Sequence, residues 1–296
     1  MSVPSIRFGP AGIPIQCEEQ TTAGGIRCCK ALGLTAMEME FVQGVRMQEA
    51  GAKDVAKVAK DLDISLSSHA PYFVNLCSDD PVKLANTHRH IIASANITSL
   101  AGGNITVFHP GFYQKLSPKE AFERAKANLK TIESELKTQN IHIRLGAETV
   151  GKKSAFGGLK ENIRLSQELD MVVPAIDFAH LHARGDFRIK GEDDYRAIFS
   201  LLERECGDYV EHFHCHFSEI NYSDKGELNH YPLGTNGEPP FKPFMKVLAE
   251  SGYCGTVICE TPKLELDSLT MQHEFEARSA KETQAARPSG HRKGNA

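Results

Sequence analysis

Six short apolar runs in this chain each finish on a residue that can bind a metal ion. One ends at His69, in Ser67-Ser68-His69-Ala70-Pro71-Tyr72, and the next at His109, in Val107-Phe108-His109-Pro110-Gly111. The following four end at Glu148, at Asp177 with His180 three residues on, at His216, and at Glu260. Imidazole and carboxylate together suit Zn, Mn or Fe better than Ca or Mg. Carboxylates can also bridge two cations about 3.5–4 Å apart. A lone histidine at a strand end is more often a satisfied polar residue than a ligand. Six such residues in matching positions point instead to one shared metal site.

Residues so far apart in sequence meet only if a fold gathers their strand ends. The chain alternates short apolar runs with longer segments of helical period. The strands are expected at 6–15, 36–42, 64–69, 105–109, 141–149, 171–177, 209–216 and 256–260, with a helix after each. Thr21 or Thr22 can cap the first helix, which stops near Gly33. Ser117-Pro118-Lys119-Glu120 is a strong helix start, with Ser as the cap, Pro at the first position and Glu at the third. Eight strand-then-helix units in series predict an α/β (β/α)8 TIM barrel, whose active sites lie at the carboxyl ends of its strands. An open doubly wound sheet is the alternative. It usually has fewer strands, and the glycine-rich dinucleotide turn is absent.

Composition agrees with this reading. The 296 residues are 41% hydrophobic and 24% charged, ordinary globular usage for one barrel domain. That domain is expected over residues 1–282. Residues 283–296 are polar, end Arg292-Lys293-Gly294-Asn295-Ala296, and read as a disordered basic tail. No apolar run approaches the roughly 20 residues that span a bilayer. The first residues lack the regions of a signal peptide, so a cytoplasmic location is the expectation. The formal net charge of −4 argues against sequence-blind nucleic-acid binding through a basic surface. It leaves a nucleic-acid enzyme open, because bound cations would reverse the charge of acidic ligands. The eight Cys form no C-x-x-C pair and read as reduced, mostly buried thiols rather than a zinc ribbon.

The remaining histidines have simpler readings. His88 and His90 lie on a helix and read as surface or capping residues, and His142 begins a strand far from the site. His212 and His214 share a face with His216 by the strand period of two and read as barrel lining or support. His182 is ambiguous. Residues 218–237 read as a long polar loop at the active face, carrying Asp224, Glu227, Asn229 and His230.

These residues together resemble a known family. The chain is similar to endonuclease IV, the metal-dependent apurinic/apyrimidinic endonucleases of base excision repair, within the xylose isomerase-like barrel superfamily. The resemblance runs from the first strand to the helix after Glu260. It rests on His69-Ala70-Pro71-Tyr72 with Asn75-Leu76, His109-Pro110-Gly111, Glu148-Thr149 with Gly151, Asp177-Phe178-Ala179-His180, His216, His230 with Leu233-Gly234, and Glu260-Thr261. It implies two or three divalent ions, usually Zn2+ with Mn2+ possible. His69 and His109 would hold one and share Glu148 with a second. Asp177, His216 and Glu260 would complete the second, and His180 and His230 would hold the third. It further implies hydrolysis of the phosphodiester 5′ to an abasic site in double-stranded DNA by a monomer. Glu148 and Glu260 would be catalytic and no side-chain nucleophile is required.

The chain departs from the family's pattern at two places. Where the family usually has Asp-x-His, this chain has Leu228-Asn229-His230, and leucine cannot ligate. Asn229, Glu227 or Asp224 would have to substitute on a rearranged loop. If the third site is merely incomplete, Leu228→Asp should raise occupancy or activity. Second, the DNA-penetrating segment after the second strand reads Phe41-Val42-Gln43-Gly44-Val45-Arg46. Arg46 and Tyr72 are the expected DNA contacts, and Lys152 an expected phosphate contact. The main rival is a metal-dependent sugar isomerase or epimerase of the same superfamily, using Glu148, Asp177, His216 and Glu260 around one ion. A non-catalytic binding barrel is a third reading, and it predicts decayed ligand positions.

Overall fold

A computed structural model describes residues 6–285. In chain order the elements are β1 (Ile6–Pro10), α1 (Thr22–Leu32), β2 (Ala36–Glu40), α2 (Glu49–Leu62), β3 (Ser65–His69), α3 (Pro81–Leu100), β4 (Ile105–Phe108) and β5 (Gly111–Phe112). Then come α4 (Pro118–Thr138), β6 (Arg144–Glu148), β7 (Ala155–Phe156), α5 (Leu159–Glu168), β8 (Val172–Asp177), α6 (Phe178–Arg184) and α7 (Glu192–Cys206). The chain ends with β9 (Phe213–Phe217), β10 (Glu219–Ser223), β11 (Gly226–Tyr231), α8 (Phe241–Ser251), β12 (Gly255–Cys259) and α9 (Glu265–Ala285).

Eight strands form one parallel sheet in the order β1-β12-β9-β8-β6-β4-β3-β2. A parallel bridge between Ala11 and Glu38 brings its edges together. There the Gly12 N–H donates to the Glu38 carbonyl at 3.0 Å, and the Thr35 N–H to that of Phe8 at 3.0 Å. Gly9 makes this closure possible: a Cβ there would sit 2.0 Å from the Ala36 carbonyl oxygen. The barrel expected from the strand–helix alternation is therefore the fold observed.

The helices start where their caps dictate. The Thr21 side chain accepts from the Gly24 N–H at 3.0 Å, Asp80 caps the Pro81 helix, and Ser117 and Glu120 form the expected capping box. Outside the barrel, Phe178, Tyr195, Phe199 and Phe244 pack ring against ring, with the Phe178 and Phe244 centroids 4.6 Å apart. This apolar layer fixes α6, α7 and α8 against β8 and β9. No helix among the described residues is long and apolar enough to cross a membrane.

Three expectations are corrected. The segment after the seventh barrel strand is not a loop but an antiparallel hairpin, β10 and β11. That strand starts at Phe213 rather than Tyr209, because residues Gly207–Glu211 form a 3-10 turn. The short helix α6 directly after Asp177 was not anticipated. The last helix reaches Ala285, past residue 282 where the tail was expected to start. The rest of that expected tail, 286–296, lies outside the described residues.

Candidate metal centre

Each of the six runs delivers its terminal residue to the carboxyl mouth of the barrel, and the fully buried carboxylate of Glu148 sits at the middle. Its Oε2 lies 2.8 Å from Nε2 of both His69 and His109. Its Oε1 lies 3.0 Å from His216 Nδ1 and 3.5 Å from His180 Nδ1. Glu260 Oε1 is 3.1 Å from His216 Nδ1, and Glu260 Oε2 is 3.6 Å from His230 Nδ1. Asp177 Oδ1 accepts from the His180 backbone N–H at 2.7 Å, capping α6. Its buried Oδ2 accepts no hydrogen bond.

These residues fall into three adjoining groups: His69, His109 and Glu148; Glu148, Asp177, His216 and Glu260; and Asp177, His180 and His230. Within each group the available donor atoms lie within 4.8 Å of one another. Ligands of one zinc ion, at about 2.0–2.2 Å from it, stand roughly 3–4 Å apart, so this donor set fits divalent cations. The orphaned Asp177 Oδ2 fits as well, since a buried carboxylate oxygen without a donor is costly. The histidines are also oriented for the task. The second ring nitrogen of His69 is held by the Ala70 carbonyl at 2.7 Å, that of His180 by Thr149 at 3.0 Å and that of His230 by Glu260 at 3.1 Å. Such bonds fix the tautomer and leave Nε2 free to coordinate.

The electrostatics are those of an array of alternating charge. Burial alone would push the Glu148 carboxyl up, but His109 and His216 outweigh it and hold it well below the carboxylate range. Burial raises Asp177 to about 6, against the pull of His180. Burial works against a charged His69, yet Glu148, Glu40 and Glu38 together raise it to about 10.

The third group gains a residue through the hairpin. Strand pairing runs Ile220 with His230, Asn221 with Asn229, then Tyr222 with Glu227. Leu228 is the extra residue of a β-bulge and is 60% exposed. Skipping one residue puts Glu227 where a regular strand would place residue 228, on the same face as His230. Glu227 Oε2 accordingly lies 3.0 Å from His180 Nε2, which is itself 3.2 Å from His230 Nε2. The Gly151 N–H steadies that carboxylate at 3.1 Å, and a Cβ on Gly151 would collide with it at 2.3 Å. Glu227 thus stands in the space that a side chain at 228 would take in a regular strand.

Of the expected nucleic-acid contacts, Tyr72 and Lys152 come together with the site and Arg46 does not. Tyr72, 63% exposed, and Lys152 line a cavity of about 210 Å³ with His109, Gly111, Phe112 and Glu227. Arg46 is exposed and bonded to Gln43 Oε1 at 3.2 Å. Among the other histidines, His88 and His142 bond Asn128 and Asn140, and His90 packs edge-on to Phe73. His182 is buried beneath the hairpin, accepting from the Ile189 N–H at 3.2 Å. The cysteines are unpaired, and burial pushes the Cys29 and Cys259 thiols up to about 12, so neither is a nucleophile at neutral pH. Phe112, Glu38 and Glu40 are not among the residues expected from sequence. The last two share the inward face of β2 by the period of two.

Comparison with known families agrees with this geometry. The model of the xylose isomerase-like TIM barrel matches residues 26–285. The chain belongs to that family. It is 36% identical over 265 residues to an uncharacterized protein of Methanocaldococcus jannaschii, covering 89% of this chain and 94% of the relative. It is 25% identical over 236 residues to a probable endonuclease 4 of Mycoplasma genitalium, covering 77% and 78%. Two solved barrels share the fold at 16% identity and a TM-score of 0.68. They are endonuclease IV from Thermus thermophilus, covering 92% of this chain and 99% of that one, and a D-tagatose 3-epimerase-like protein, covering 93% and 99%.

Proposed function

We propose that this chain is a metal-dependent phosphodiester hydrolase of the endonuclease IV kind, incising double-stranded DNA 5′ to abasic sites as a monomer in the cytoplasm. One observation carries the reading: His69, His109, His180, His230 and Glu227 flank a tetrad of Glu148, Asp177, His216 and Glu260 that would by itself hold one ion. A second reading, a one-ion sugar epimerase, is favoured by that same complete tetrad and by the equal fold likeness to an epimerase-like barrel. The flanking histidines have no task in it.

His69, His109 and Glu148 would hold the first cation, Glu148, Asp177, His216 and Glu260 the second, and His180, His230 and Glu227 the third. When bound, zinc or manganese ions would supply Lewis-acid polarisation of phosphoryl oxygens and acidify water. Glu148, enclosed by four imidazoles, would hold the groups at fixed separation. Glu260 is the most open carboxylate of the tetrad, with its side chain 16% exposed, and would accept a proton from attacking water. Tyr72 and Phe112 present aromatic surface beside His109, and Lys152 a cation, suited to an unstacked strand and its phosphates.

A duplex carrying one abasic site tests the reading. With Zn2+ or Mn2+ the wild-type protein should nick it 5′ to the lesion, and Glu260→Gln should lower the rate at least a hundredfold. Absence of nicking by fully metal-loaded protein would reject the nuclease. Turnover of a ketose by that same preparation would establish the epimerase.

A further inference from the structure

One buried carboxylate stands behind the centre, and the function above gives it no part. Glu38, on β2, is fully enclosed inside the barrel. β2 is not a neighbour of β9 in the sheet, so the side chain crosses the interior to meet the histidines of that strand. Its Oε2 accepts from Ser67 Oγ at 2.6 Å and is 3.1 Å from His214 Nε2. Its Oε1 lies 2.9 Å from His216 Nε2, an ion-pair distance, and neither of these two buried atoms makes a hydrogen bond. His216 turns its other nitrogen, Nδ1, to Glu148 and Glu260.

The three histidines described above rest their second nitrogen on a backbone carbonyl. His216 alone among these four rests it on a carboxylate, one that Ser67 and His214 hold in place. A carboxylate behind a ligating imidazole fixes its tautomer and raises its basicity, and removing such a partner typically costs 10–100-fold in metal affinity. Burying an ionised carboxylate is expensive unless it is paired and hydrogen-bonded; here Oε2 is hydrogen-bonded, and Oε1 has only the His216 imidazole beside it. The 2.9 Å spacing leaves no room for a water or an ion between the imidazole and the carboxylate, so the two act on each other directly.

We infer that Glu38 is a positioning residue for the metal centre: with Ser67 and His214 it holds His216 as the Nε2–H tautomer, so that Nδ1 is presented to the ion shared by Glu148, Asp177 and Glu260. This rests on the metal reading above and extends it to a strand that supplies no ligand of its own. The sequence Met37-Glu38-Met39-Glu40 follows from the same division of labour. Met37 and Met39 belong to the hydrophobic cluster that includes Ile26 of α1 and Val55 of α2, while Glu38 faces the interior.

The test measures Zn2+ binding to the full chain by chelator competition, with Co2+ absorption as an independent view of the ligand field. Glu38→Gln should bind one ion 10–100-fold more weakly and alter the Co2+ bands, with the other ions and the saturating stoichiometry unchanged. Ser67→Ala, which loosens the carboxylate but keeps its charge, should fall between Glu38→Gln and wild type. It carries the test if Glu38→Gln does not fold. Nitrogen-15 spectra of labelled histidine should show His216 protonated at Nε2 in the loaded wild type. Wild-type affinity in both variants would overturn the inference. So would a lower saturating stoichiometry in Glu38→Gln and His214→Gln, which would make Glu38, His214 and His216 a cation site of their own. Wild-type protein that binds no divalent ion would reject the metal reading itself, and this inference with it.

Discussion

Glu227 and Leu228 are adjacent, and only the charged one meets the histidines. The bulge decides this: it leaves Leu228 in solvent and turns the Glu227 carboxylate to His180. Leu228→Asp should therefore change neither metal content nor affinity, contrary to what an incomplete site would give. Glu227→Gln should weaken one ion at least about tenfold, read by zinc titration. The strand-end ligands were legible in sequence because each closes an apolar run at a repeated place in the fold. Glu227 was legible only as one of three candidates, since a bulge leaves no residue pattern of its own in a polar strand. Glu38 and Glu40 were not legible. Alternation of Met and Glu does not say which face turns inward, and this barrel keeps a polar layer inside and packs methionine against its helices.

Two buried charges hold the elements that carry the site. Glu219, at the start of β10, accepts from the backbone N–H groups of Gly234, Thr235, Asn236 and Gly237 at 2.7–2.9 Å, and so fixes the turn that follows His230. Arg184, at the end of α6, donates to the carbonyls of Lys152 and Ala155 at 2.8 and 2.9 Å and pairs with Asp186. That clamps the segment bearing Lys152. Arg184→Ala would take a charged donor from the Lys152 carbonyl and from the buried Ala155 carbonyl and break the pair with Asp186, a loss of about 3 kcal/mol. Faster amide exchange confined to residues 150–156 should accompany the lower melting temperature. The barrel elements were legible from period and capping, and their ends shifted by only a few residues. The hairpin was hidden because both its strands are polar and half exposed, without the apolar alternation that marks a strand.

The whole molecule depends on closure, because the ligands come from six strands around one ring. β1 and β2 meet where Gly9 leaves no room for a side chain. Gly9→Ala should separate that seam and lower stability by about 3 kcal/mol or more, seen as a fall in the denaturant midpoint. Metal affinity in the surviving folded fraction should fall with it, since Glu38 sits on the same seam. The account's central claim is that the mouth of this barrel holds a cluster rather than a single ion. Metal content per chain, measured on protein saturated with Zn2+ and freed of excess, tests it most directly. The account predicts three ions per chain in the wild type, and in Glu227→Gln one of the three lost at lower chelator concentration than in the wild type. A single ion bound by the tetrad, with His69, His109, His180 and His230 all replaceable without loss, would contradict it.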